Sequence, residues 1–173
     1  VKDNLSGIAN RKKFRLRWYG SEINSEAIFE VKERTGRVGS KSNYPIRLPI
    51  DGHNNLSFGD IASCCIQDLS KQNIIFNEYI VPMLHVSYAR EYFETHSGIR
   101  ITIDQDINFS DTQSNSTLSE SALISYPRKV LEIKFPLTMK DEVANLIRPL
   151  HLTPKRHSKY LVGLALCGDA IYI

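Results

Sequence analysis

The chain has 173 residues, 42% hydrophobic and 24% charged, with a net charge of +3. That balance fits one soluble globular domain and excludes a low-complexity chain or a global basic field of the kind that draws in nucleic acid. Cys64, Cys65 and Cys167 fit no zinc spacing and no disulfide framework, and no apolar run reaches the roughly 20 residues of a membrane span, so a reducing cytoplasmic setting is expected.

Residues 10–19 alternate as a strand closed by Gly20 and Ser21. Residues 26–35 and 37–48 read as two more strands, joined as a hairpin by Thr35-Gly36-Arg37 and ended by Pro49. Asp51-Gly52-His53-Asn54-Asn55 is a polar loop. Ser57 then caps a helix with Asp60 in its first turn and Ile61, Cys64, Cys65 and Leu69 on one side. A second short helix is expected over 71–79, stopped by Pro82. Strands at 83–93 and 98–109 flank the turn His96-Ser97-Gly98, and Ser110 to Ser121 reads as an exposed, mobile loop. A strand at 128–135 lies between Pro127 and Pro136. A helix follows from Thr138 to about Arg148, with Asp141 and Glu142 at its start. The last helix is expected to begin at Thr153-Pro154, carry Lys155, Arg156, Ser158 and Lys159, and end at Gly168. Hairpin-like connections predict a mainly antiparallel sheet, with helices covering its apolar face.

One pattern recurs on the strands. Phe14-Arg15-Leu16-Arg17-Trp18, Phe29-Glu30-Val31-Lys32, Val86-Ser87-Tyr88-Ala89-Arg90, Ile99-Arg100-Ile101-Thr102-Ile103-Asp104 and Leu131-Glu132-Ile133-Lys134-Phe135 alternate apolar with polar or charged residues. Residues two apart on a strand share a face, so each segment has a greasy side and a charged side. The charged sides carry Arg15, Arg17, Lys32, Arg90, Arg100 and Lys134, with Glu30, Asp104 and Glu132 as the minority. A solvated sheet face is polar by default, but it usually mixes opposite charges across strands. A cationic face with four arginines suits a phosphate-rich ligand, because the guanidinium fork binds phosphate oxygens in pairs. Lys41 adds a further cation. Among these cations Glu132 either balances charge or holds Mg²⁺ or Mn²⁺, which prefer oxygen ligands shared with phosphate. Asp104 and Asp106 sit near a strand end and are secondary metal candidates; Asp106 reads as plainly structural, and Glu30 as an orienter of Lys32. His53, His85, His96, His151 and His157 have no metal-ligand spacing and read as structural. No nucleophile and base are paired, and no glycine motif of nucleotide folds occurs.

The ordered set of these segments, with Arg11 to Gly20, Val86 to Phe93 and His157-Ser158-Lys159-Tyr160, resembles the VTC-type polyphosphate polymerase domain of the triphosphate tunnel metalloenzyme superfamily. The resemblance spans most of the chain and implies an α+β fold: an antiparallel β-barrel forming a basic tunnel, helices packed outside, as one domain over residues 1–173. It implies Arg15, Arg17, Lys32, Arg100 and Lys134 as catalytic, and Lys41, Arg90, Arg156, Ser158 and Lys159 as phosphate-binding. Glu132 would hold Mn²⁺ or Mg²⁺. The implied substrates are ATP and inorganic polyphosphate, with neither nucleic acid nor membrane as partner. The family's first strands are not found ahead of Val1, so the chain is expected to begin just after them and to lack part of the tunnel wall. Without a regulatory region or membrane tail it resembles the stand-alone bacterial type. The expected activity moves the γ-phosphate of ATP onto a polyphosphate chain; a triphosphatase using the same clamp and a non-catalytic polyphosphate or nucleic-acid binding module are the competing readings.

Overall fold

The computed structural model describes residues 10–20, 27–36, 38–48, 56–112 and 116–168. They form two antiparallel sheets and three α-helices, an α+β architecture as expected. The polar loop at 51–55, the stops at Ser21 and Pro49, and Arg37 of the first turn lie outside the described residues. The chain divides into two compact units, Val1–Met83 with Thr112–Ser121, and Leu84–Asp111 with Ala122–Ile173.

In the first unit, β1 (Asn10–Arg17), β2 (Ala27–Thr35) and β3 (Val38–Ile46) form a three-stranded sheet in chain order. Helix α1 (Phe58–Lys71) covers one face with Phe58, Ile61, Cys65 and Leu69, against Ala27, Phe29, Val31 and Ile46. Phe14, Leu16, Trp18 and Phe76 pack at the edge of this core. Ser57 caps α1 as expected: its hydroxyl accepts from the Asp60 amide, and the Asp60 carboxylate accepts from the Ser57 amide.

The helix expected at 71–79 does not form. Asn73 adopts φ 59°, its amide donates to Ser70 O and that of Ile74 to Leu69 O, closing α1 with a Schellman cap. The chain beyond is non-helical, and Ile74, Phe76 and Ile80 still reach the core. The segment 110–121 is not simply exposed either. Thr112 and Thr117 are buried, and Thr117 bridges to Ser57.

In the second unit, β5 (Arg100–Ser110) is central. β4 (His85–Glu94) pairs with one edge; β6 (Ile124–Tyr126) and β7 (Val130–Lys134) share the other. A bulge sets Tyr88 against both Asp106 and Ile107, with Asp106 at φ 52°. Asp104 and Asp106 therefore lie inside β5, not at a strand end. The helix expected at 138–148 appears as a 3-10 turn, Leu137–Met139, followed by α2 (Lys140–Ile147). The last helix, α3 (Lys159–Leu166), begins later than Thr153-Pro154 predicts. Residues 152–157 offer little apolar surface to bury, so the turn starts where Leu164 can be fully enclosed. Gly163 lets α3 approach the sheet: a Cβ there would lie 2.5 Å from both Leu84 Cδ2 and Phe109 Cδ1. The apolar side of β4–β5–β7 is only partly covered, with Phe93, Leu131 and Phe135 exposed.

Candidate functional site

On the sheet face of the first unit opposite α1, strand register stacks charged residues in rows. Arg15 stands opposite Glu30, and Lys32 stands opposite both Lys13 and Lys41. Glu30 is 1% exposed, although it points away from the apolar core. Its surroundings are cations. Arg15 Nε donates to Oε2 at 2.8 Å, and Nη2 closes on the same oxygen. Lys41 Nζ lies 2.8 Å from Oε1 and Arg17 Nη2 lies 3.4 Å from it. Burial alone would raise the Glu30 pKa. Hydrogen bonds from Lys41 and Arg15, and the charges of Arg15 and Arg17, outweigh it and bring the carboxyl down to about 2. Glu30 is thus the hub of Arg15, Arg17 and Lys41, a wider role than orienting Lys32. The three cations leave this cluster with positive charge to spare. Arg17 Nε is buried with no hydrogen-bond partner among the described residues.

The second unit repeats the device. Register on one face sets Arg90 opposite Asp104, Thr102 between Tyr92 and Glu132, and Arg100 between Glu94 and Lys134. Asp104, also 1% exposed, takes a two-pronged contact from Arg90 at 2.6 and 2.8 Å, and Lys159 Nζ closes on Oδ2. Burial alone would raise the Asp104 pKa, but hydrogen bonds from Arg90 and Lys159 lower it, and the bond to Asp104 holds the Arg90 proton more firmly. The Tyr88 ring supports both cations, 5.1 Å from Arg90 Cζ and 4.9 Å from Lys159 Nζ. Ser158 orients this end of α3: its hydroxyl accepts from the Leu161 amide at 3.4 Å. Arg156 is exposed and lies outside the helix.

Asp104 is fully engaged by cations, which leaves little for a metal. Glu132 is different. It is 47% exposed, and its ion pair is a surface contact of 3.1 Å with Lys134. The Thr102 hydroxyl, opposite it in register, is buried without a hydrogen-bond partner among the described residues. No group of three His, Cys, Asp or Glu among the described residues can hold a metal ion. One accessible carboxylate fits a hard divalent ion that takes most of its ligands from phosphate and water, as Mg²⁺ and Mn²⁺ do. It does not fit an all-protein metal cage.

The expected site residues therefore gather within each unit: Arg15, Arg17, Lys32 and Lys41 in the first, Arg90, Arg100, Glu132, Lys134, Ser158 and Lys159 in the second. Reading the sequence missed Glu30 and Asp104 as charge hubs, and missed Lys13. The signal for Lys13 was present, since Arg11, Lys13, Arg15 and Arg17 share one parity on β1. The three cysteines are free, and burial pushes the Cys65 thiol up to about 12. No described helix is long and apolar enough to cross a membrane. Residues 1–167 match the family model described as the VTC domain. No curated protein matches the chain.

Proposed function

The chain belongs to the VTC domain family, and from that premise we propose that it is a metal-dependent phosphotransferase that moves the γ-phosphate of ATP onto a growing inorganic polyphosphate chain. The observation that carries this reading is the pair of buried carboxylates, each surrounded by cations and each leaving positive charge unneutralised. Cations held this way are aimed before a ligand arrives, and phosphoryl transfer depends mainly on positioning and charge neutralisation. Arg15, Arg17, Lys32, Arg100 and Lys134 would act on the reacting phosphates, and Lys41, Arg90, Arg156, Ser158 and Lys159 would hold the remaining phosphate oxygens. The attacking oxygen would belong to the polyphosphate chain, so no side-chain nucleophile is required. Mn²⁺ or Mg²⁺ on Glu132 would supply neutralisation of phosphate charge. A single basic tunnel barrel and a cytoplasmic location are parts of the same proposal, resting on the resemblance.

The test is incubation of the protein with ATP and Mn²⁺, followed by a gel that resolves long-chain polyphosphate. Growing chains support the proposal. Free phosphate without polymer would assign the same clamp to a triphosphatase, and neither product would leave a binding module.

A further inference from the structure

The geometry points to a second anion subsite on the first sheet, built from Arg11, Lys13 and Arg34 with Lys32, which engages the distal part of a long linear polyphosphate. This rests on the phosphate reading above and extends it to chain length. The rows Arg11–Arg34 and Lys13–Lys32–Lys41 place like charges directly opposite one another across the strands. Like charges directly opposed destabilise a sheet, and a face selected only for solubility alternates sign. Among the described residues neither Arg11 nor Lys13 has a carboxylate within ion-pair distance. Arg34 Nε donates to Gly36 O at 2.9 Å, which holds its guanidinium at the turn. Lys13 is half-buried, and burial followed by the charges of Arg11 and Lys32 lowers its pKa, so an anion beside it relieves a real electrostatic cost.

The rows continue from the Glu30 hub in one direction. Arg17, Arg15, Lys13 and Arg11 alternate along one face of β1. From Arg17 to Arg11 that stripe is about 20 Å long, at roughly 3.3 Å per residue. A triphosphate gripped at Glu30 does not reach the Arg11–Arg34 row, about 13 Å along β1 from Arg15 at roughly 3.3 Å per residue, whereas a polymer does. Inorganic polyphosphate fits better than nucleic acid. The aromatic rings of these strands, Phe14, Phe29 and Tyr44, pack with Phe76 at the core on the opposite face, and the exposed Tyr19 ring lies against Arg17 at the Glu30 end, so among the described residues the Lys13 and Arg11 rows carry no stacking platform.

The whole chain, unmodified and as the R11Q/K13Q double variant, is titrated with tripolyphosphate, with long-chain polyphosphate and with single-stranded RNA. Lys13→Arg is carried as a charge-preserving rescue, and thermal melts check folding. The expected result is that R11Q/K13Q loses roughly fivefold in long-chain affinity per charge removed, the scale of one exposed charge contact, while its tripolyphosphate affinity holds. Its salt slope for the long chain should also fall by about one per charge. Equal losses for both phosphates would merge the stripe with the clamp and overturn the inference, as would no loss for either. RNA binding as tightly as polyphosphate, with the same loss in the variant, would assign the stripe to nucleic acid instead. An unmodified protein that binds neither phosphate would refute the phosphate reading itself, and the stripe with it.

Discussion

Replacing Glu30 with glutamine removes the one negative charge at the centre of three cations while keeping the side chain's shape. In the folded protein this carboxyl sits at about 2, against an ordinary value of 4.5. Its folded pKa is depressed, so its contribution is complete above the unfolded value and is lost as pH falls through the folded one. At neutral pH the difference corresponds to about 3 kcal/mol. Removing one partner of a buried ion pair typically costs a similar ~3–5 kcal/mol. Arg15 and Lys41 are each about half exposed and can turn toward water, which favours the lower figure. For a chain of this size that loss lowers the melting temperature by roughly 6–12 °C. Calorimetric melts of both proteins from pH 7 to pH 2 provide the assay. The gap should be full at pH 7 and shrink between 4.5 and about 2 as native Glu30 takes up its proton. Tripolyphosphate should narrow it at pH 7 by replacing the missing negative charge. A variant as stable as the parent at pH 7, or a gap independent of pH, would refute the hub.

Glu132→Gln should abolish metal-dependent turnover while direct titration still detects most phosphate binding; normal turnover with Mn²⁺ would remove Glu132 from the metal site. Gly163→Ala forces a methyl group into Leu84 and Phe109 and should destabilise the protein by about 1–3 kcal/mol in urea melts. The same change should weaken phosphate binding at the Asp104 cluster, because α3 carries Lys159. In the native protein at pH 8, Cys64 should react with iodoacetamide and Cys65 should not, its thiol lying at about 12 and buried; mass mapping of labelled peptides checks this.

Alternation made the long strands readable. β1, β2, β4 and β5 begin and end within about two residues of their expected limits, and the greasy and charged faces follow the expected parity. β6 escaped because three residues carry too little periodicity. The helix expected over 71–79 gives way to a left-handed Asn73, whose local Schellman cap closes α1 at the start of that span. The cation faces could be read from Arg-x-Arg and Glu-x-Lys spacing. The burial of Glu30 could not, since it arises from side chains on three strands meeting in register. Asp104 is likewise enclosed by Arg90 from β4 and Lys159 from α3, 55 residues further along the chain. A residue's neighbours at that separation leave no trace in local pattern.

The most direct measurement is a crystal structure with tripolyphosphate and Mn²⁺ bound. The account predicts phosphate density in contact with Arg15 and Arg17 and with Arg90 and Lys159, and an anomalous manganese peak beside Glu132. Tripolyphosphate bound away from both carboxylate hubs, with those cations turned into solvent, would contradict it.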